Sequence, residues 1–368
     1  MNIEIIGGGI GGLTLAATLE RVGLEYSLFE QSPNLRTTGF AITIHSNALH
    51  ALRSIGLEEA IRNKGNAISC LRIATPRGRV LSEMHSDMIA LHRADLQATL
   101  ASAVPATRLH FDARIVESEK MTWIAAAEGV HSLFRQAVVG DELPPRSAGY
   151  TAWRGMSSPG AIEIPVSMQT TAVEFWGTGM RFGIVPLLNR QVYWFAVLQE
   201  DVASQACATD SKSFLSTQFS DWQSPILDLI DTTSDDTILK TPIYDRLPIK
   251  SWYRERILLL GDAAHPMTPN LGQGGCQAIE DAVVLGYLFG ACRDGRLTES
   301  SLGSCYESLR KPRVDRIVKQ SYRVGMLGNL NNPLLTRIRN LAMILTPETL
   351  HQRSMRELLT FTEPFVCY

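Results

Sequence analysis

Three features of the sequence predict an α/β fold with an inserted, mainly antiparallel β-sheet and a helical C-terminal segment. Residues 3–30 read as strand, glycine turn, helix and strand. Residues 146–197 change to β texture, and from Arg256 the chain returns to a buried strand, a loop and a long apolar helix. A length of 368 residues accommodates about two domains of typical size.

The opening strand at 3–6 runs into Gly7-Gly8-Gly9-Ile10-Gly11-Gly12, a helical pattern (Leu13, Leu15, Ala16, Leu19, Val22) and a second strand at 26–30. This order is that of a Rossmann-like dinucleotide-binding domain. Gly7 permits the tight turn, Gly9 lets the backbone approach a pyrophosphate, and Gly12 lets helix and strand pack closely. The helix start then offers free N–H groups to phosphate. Glu30 closes the second strand, where a carboxylate accepts hydrogen bonds from ribose hydroxyls and disfavours the 2′-phosphate of NADP.

Helical patterns at 47–55 and 93–101 and a strand-like 108–111 follow. In the β-rich part, 171–176, 182–186 and 191–197 read as strands, the last two joined by a hairpin at 187–190. A strand at 257–260, a helix at 277–291 and an amphipathic stretch at 334–345, bracketed by Pro333 and Pro347, complete the chain. The expected division is residues 1–66, 91–145 and 252–320 for the dinucleotide domain, 67–90 and 146–251 for a substrate domain, and 321–368 for a C-terminal helical segment.

Hydrophobic residues at 45% and charged residues at 20% exclude a disordered chain. Lys+Arg 35 against Asp+Glu 37 leave a net charge of −2, so there is no bulk attraction to nucleic acid or to an anionic membrane, and a small-molecule partner is expected. The six cysteines are scattered without a CxxC pair, which points to reduced thiols and a cytoplasmic setting. The apolar N-terminus has no Lys or Arg before Arg21 and is interrupted by glycines, unlike a signal peptide. The longest apolar run, 282–292, is too short for a transmembrane segment, for which about 20 residues are needed. His45 and His50 are off the i,i+4 face and lack a third ligand, so no metal is assigned. Charge offers no clue to assembly, leaving monomer or homodimer.

The segment 256–282 is the most specific: Gly261-Asp262 ends a strand, and Gly272-Gln273-Gly274-Gly275-Cys276 opens a helix. It closely resembles the Gly-Asp motif of the single-component flavoprotein monooxygenases, the para-hydroxybenzoate hydroxylase family. The resemblance extends to the N-terminal glycines, Arg36-Thr-Thr-Gly39, Leu91-His-Arg93-Ala-Asp-Leu and the helical tail. Within the family, Gly-Gln-Gly-Gly-Cys is most like the subgroup that includes urate hydroxylase and zeaxanthin epoxidase.

The resemblance implies bound FAD, held by Gly7, Gly9, Gly12, Glu30, Arg36, Arg93, Ile115 and Asp262, with Gly272, Gly274 and Gly275 beside the flavin ring. A helix start there would stabilise the anion of reduced flavin. Arg93 also reads as an ordinary surface cation on a helix start. No second glycine fingerprint exists, so NAD(P)H, either NADH or NADPH, is expected to dock transiently. The family's middle motif is altered to Ala126-Ala127-Glu128-Gly129, followed by Ser132 and Arg135, with only a short connection before it.

On the substrate side the resemblance points to Arg181 and Tyr193, one on each strand of the hairpin, which also read as ordinary sheet residues. Ala152 and Asn270 replace an Asn and an Asp of the urate subgroup, arguing against urate itself. Trp153, Trp176 and Trp194 read as pocket or core, and His265 as structural. The activity implied is an FAD-dependent monooxygenase that uses NAD(P)H and O₂ to hydroxylate a small aromatic or N-heterocyclic ring through a flavin C4a-hydroperoxide. Alternatives are an epoxidase of an isolated double bond, an NAD(P)H oxidase or dehydrogenase without oxygen insertion, and a nonenzymatic binding protein. A membrane-dissolved substrate would call for an apolar docking face such as 334–345.

Overall fold

The computed structural model describes residues 1–35, 39–116, 122–140, 144–206 and 210–361. The chain begins with β1 (Asn2–Ile6), α1 (Ile10–Val22), β2 (Ser27–Phe29), β3 (Ala41–His45), α2 (Ser46–Ser54) and α3 (Glu58–Arg62). Next come β4 (Asn66–Ala74), β5 (Val80–His92), α4 (Arg93–Ser102), β6 (Leu109–His110), β7 (Thr122–Ala126) and α5 (Leu133–Val139). The β-rich part comprises β8 (Arg146–Met156), β9 (Thr171–Trp176), β10 (Met180–Pro186), β11 (Val192–Gln199), α6 (Glu200–Ala203), α7 (Ser211–Gln218), α8 (Ile226–Thr232) and β12 (Leu239–Asp245). The C-terminal part has β13 (Tyr253–Arg254), β14 (Ile257–Leu259), α9 (Gly274–Arg293), α10 (Glu299–Gly328), α11 (Pro333–Leu345) and α12 (Glu348–Leu359).

The strands form two sheets. The first has the order β13-β14-β7-β1-β2-β6 and is parallel apart from the β13–β14 pair. Every residue of β7 is buried, as expected for a central strand covered on both faces. This places the glycine turn after β1 and the Gly-Asp turn after β14 at the same, carboxyl-terminal edge, where open α/β sheets bind ligands.

The second sheet has the order β12-β8-β11-β10-β9-β4-β5-β3 and is antiparallel except for β4–β9. Its inclusion of β3 differs from the expected division, which left residues 41–45 with the dinucleotide part. Ala41 to His45 pair with His92 to Met88, a distant partnership that the local pattern does not announce. α10 likewise runs unbroken across the expected 320/321 boundary. No helix among the described residues is long and apolar enough to cross a membrane.

The β10–β11 hairpin shows how sequence alternation builds two surfaces. Register pairs Arg181 with Val197, Gly183 with Phe195 and Val185 with Tyr193, so these six residues share one face. On the other face, Phe182 stacks on Trp194 and meets Phe219 edge-on, in a core completed by α7 and α8. Trp153 and Trp194 are core residues, whereas Trp176 reaches the cavity described below.

Candidate active site

A cavity of about 2010 Å³ is bounded by the glycine turn, β3, the Gly-Asp segment, the start of α9 and the hairpin face carrying Arg181 and Tyr193. Sites for single small ligands typically enclose ~300–1,000 Å³, so this one has room for a dinucleotide and a second molecule. It gathers Gly7, Gly9, Glu30, Arg93, Ile115, Asp262, Gly272, Gly274, Gly275, Arg181 and Tyr193 along its wall. Gly12 lies beneath it, and Arg36 falls outside the described residues.

Each glycine of the turn has its own geometric reason. Gly7 has φ of +109°, and a Cβ there would lie 2.5 Å from the carbonyl oxygen of Ala127. A Cβ on Gly12 would lie 1.9 Å from the carbonyl oxygen of Gly7, whereas one on Gly9 would meet nothing within 4 Å. The backbone at Gly9, which caps α1, is therefore open to the cavity. Glu30 braces the turn by accepting from Gly8 N at 2.7 Å and Ser32 N at 2.9 Å. Lone-pair sites remain on both oxygens, since an ionised carboxylate has about four.

Arg93 is the first residue of α4 and is attracted to Asp262. The Asp262 side chain opens onto the cavity but is otherwise enclosed by protein. Burial raises its carboxyl above the ordinary range, against the opposing pull of His265 and Arg93. α9 then starts at Gly274 with no acidic residue in its first turn, so its positive dipole end faces the cavity uncompensated.

Side chains for which the sequence suggested no cofactor role surround this helix start. Gln273 is 1% exposed. Its Oε1 accepts from Asn47 Nδ2 at 3.0 Å and Gln277 Nε2 at 2.9 Å, while its Nε2 has no partner among the described residues. His45 is also buried with an unpartnered Nδ1, and burial pushes its imidazole down to about 4, so the ring is neutral at pH 7. Both residues line the cavity. Leaving such atoms unpaired costs about 1–3 kcal/mol each, and a flavin ring edge bearing carbonyl and ring-nitrogen groups is a chemically suitable partner. The donor set, the open backbone at Gly9 and the cavity volume all fit FAD.

Behind the wall, a buried charge cluster holds the Gly-Asp turn. Asp281 accepts from Gly261 N at 3.2 Å, from Arg310 Nε at 2.7 Å, and bonds His265 Nε2 at 2.5 Å. Glu280 pairs with Arg310 and, at 3.2 Å, with Arg313. His265 is thus structural, as expected, and packs at a tilt against Trp252. The altered middle motif still engages this region. Ser132 caps α5, and buried Arg135 donates to the carbonyls of Ala263 and Ala264 at 2.6 and 2.9 Å.

On the opposite wall, Tyr193 packs against Phe40 and Phe195, and burial raises its phenol. Arg181, the other residue suggested for substrate, is engaged by three side chains. It donates to Glu174 at 2.8 Å, to Asn270 Oδ1 at 2.8 Å and to Asn329 Oδ1 at 3.1 Å. Asn270 also donates to Tyr150 Oη, Thr268 Oγ1 and Ser321 O. Arg181 thereby ties the hairpin to the flavin-side turn and to the end of α10.

A cavity with room for a dinucleotide, running past a helix start to an aromatic-lined chamber, is the arrangement expected of a flavin-binding enzyme. The chain belongs to the FAD binding domain family, whose model matches residues 1–116 and 116–321. It is 35% identical to aurachin C monooxygenase/isomerase of Stigmatella aurantiaca over 97% of this chain and 98% of that one. It is 29% identical to the 2-heptyl-3-hydroxy-4(1H)-quinolone synthase of Pseudomonas aeruginosa, over 98% of each chain. The crystal structure of Klebsiella pneumoniae HpxO complexed with FAD and uric acid matches with a TM-score of 0.86 and 25% identity, covering 98% of this chain and 96% of that one. The chain is accordingly an FAD-dependent monooxygenase, as the Gly-Asp segment leads one to expect.

Proposed function

We propose that this enzyme hydroxylates a small N-heteroaromatic ring, seated on the Arg181–Tyr193 face of the cavity, using NAD(P)H and O₂. The observation that carries this reading is the continuity of the cavity from Gly9 and Asp262, past the start of α9, to the hairpin. Relatives named for a quinolone and crystallised with uric acid support a nitrogen-containing ring. Free Cys70, Cys276, Cys292 and Cys305 support a reducing, cytoplasmic setting, with the chain acting as monomer or homodimer.

Gly7, Gly9, Gly12, Glu30, Arg93, Ile115 and Asp262 would hold the dinucleotide, with Gly272, Gly274 and Gly275 against the ring. Bound FAD supplies the redox and oxygen-transfer chemistry. The chain contributes orientation, a water-poor chamber and a positive dipole at the start of α9. Arg181 positions Asn270 and the turn around it, and Tyr193 offers a hydroxyl to a ring substituent.

The visible spectrum of the purified protein, followed anaerobically after adding NADH or NADPH, tests this reading. Flavin bands that bleach faster with a quinolone or purine present are expected, with hydroxylated product formed in air. A flavin reduced at a rate indifferent to every N-heterocycle tried, with all reducing equivalents appearing as peroxide, would overturn it. Asp262→Ala is expected to lower flavin content after purification at least tenfold, and unchanged flavin absorbance would count against its assignment. Tyr193→Phe is expected to leave flavin content unchanged while raising KM about 3–10-fold, the loss of one hydrogen bond. A change in flavin content would instead make Tyr193 a cofactor contact.

A further inference from the structure

α11 is amphipathic in the reverse sense to a helix packed on a protein core. Its apolar residues Leu334, Ile338, Leu341 and Leu345, at i, i+4, i+7 and i+11, form one stripe and are 66%, 55%, 56% and 70% exposed. Thr336 and Arg339, on the opposite side, are each 7% exposed. Arg339 donates to the carbonyls of Leu327, Gly328 and Gly177 at 3.0, 3.2 and 3.3 Å and lies over the Trp176 ring. Thr336 donates to Leu330 O, and Asn332 caps the helix by accepting from Leu334 N and Leu335 N. These bonds fix the roll of the helix, so the stripe cannot turn inward without stripping a buried guanidinium of its partners.

Apolar and basic side chains are also exposed on α10, the helix that precedes α11 in the chain. Met326 and Leu327 on the last turn of α10 are exposed as well, and half of the exposed large apolar side chains of the described residues lie between Met326 and Leu350. Exposed Arg316, Lys319 and Arg323 follow one another along α10 toward Leu327, and exposed Arg337 flanks the stripe on α11. The sequence contains no Asp or Glu from 316 to 347, although the whole chain carries a net charge of −2.

That charge pattern decides between occupants. A two-fold contact between copies would set the patch against itself and bring like charges together. An anionic bilayer meets both properties, with aliphatic side chains entering the acyl boundary and the cations meeting headgroup phosphates. We propose that the α10–α11 face docks this enzyme on an anionic phospholipid surface. The same helices contribute Gln320, Val324 and Met343 to the cavity wall, so docking sets the substrate chamber one helix away from the lipid.

The test is co-sedimentation of the FAD-loaded full chain with phosphatidylglycerol/phosphatidylethanolamine vesicles and with phosphatidylcholine vesicles, at low and high salt. The wild-type chain is expected to pellet with the anionic vesicles, less so at high salt. Ile338→Glu/Leu341→Glu is expected to bind at least about tenfold more weakly with its flavin absorbance unchanged, because both side chains are exposed. A wild-type chain that stays in the supernatant with both vesicles overturns the proposal, as does a variant that pellets equally well. A dimer in sedimentation velocity that the double variant dissociates, without vesicle binding, assigns the face to a second copy instead.

Discussion

Gly12→Ala is expected to yield a protein without FAD and with clearly reduced thermal stability. The added methyl would sit 1.9 Å from the carbonyl oxygen of Gly7 and 3.3 Å from Ile5 Cγ2. Backbone must therefore move, and it is held on both sides, since Gly7 N donates to Phe29 O at 2.7 Å and Ala127 N to Ile6 O at 2.8 Å. Alanine gains about 1 kcal/mol in helix propensity over glycine. Overpacking against fixed backbone costs ~1–3 kcal/mol in a yielding core and more here, so the steric term prevails. Gly9→Ala is the informative partner, because its methyl meets nothing within 4 Å at an ordinary φ of −77°. Without FAD it is expected to melt at the temperature of FAD-free wild type, while binding FAD about tenfold or more weakly, through a methyl placed where the pyrophosphate must approach. Melting curves with parallel flavin absorbance check both, and a Gly12→Ala protein that melts like wild type would overturn the close-packing account.

Arg310→Ala is expected to destabilise the fold by about 3–5 kcal/mol, because it leaves Glu280 and Asp281 buried with too little compensating charge. The effect carries a pH signature. Burial by itself would raise the Asp281 carboxyl, but His265 and Arg310 outweigh it and hold the group below its ordinary value of 3.8. A carboxyl lowered in the folded state contributes stability that is full above its unfolded value and is lost as pH falls through the folded one. The wild type thus keeps this contribution at neutral pH and loses it only below pH 3.8. Without Arg310 the burial effect gains weight and the charged form becomes costly at neutral pH. The stability gap between variant and wild type is therefore expected to narrow as pH falls toward 4. Urea unfolding at several pH values measures this, and a gap independent of pH would mean that packing, not charge, holds α9 to α10. Because Asp281 also accepts from Gly261 N, the variant is expected to retain less flavin.

Much of this was legible residue by residue. The glycine turn, the helix after it and the strand that runs up to Glu30 follow from spacing, with β2 ending one residue earlier at Phe29, and β9 spans the expected residues 171–176. The β10–β11 hairpin was readable in the sequence, but it is the register between its strands that puts Arg181 and Tyr193 on one face. The buried polar face of α9 also left a trace. Counted from the N-cap Gln273, the residues Gln277, Glu280 and Asp281 follow at i+4, i+7 and i+8 in an otherwise apolar helix, a pattern that asks for a charged partner.

What the sequence by itself determined is whatever depends on neighbours in the chain: the periods, the turns, the Gly-Asp segment and the two helix starts at the cavity. Those features are local because backbone geometry and side-chain alternation act over a few residues. The tertiary structure alone decided which distant groups met. Arg310 is the partner of Glu280 and Asp281 from 30 and 29 residues away, and β3 joins the second sheet through β5. Arg181 is engaged by Glu174, Asn270 and Asn329, from three separate parts of the chain. The period of α11 announced an apolar stripe but not its direction. Which way it faces was set by Arg339, whose carbonyl partners on β9 and α10 and in the turn after β9 come together only when the chain has folded.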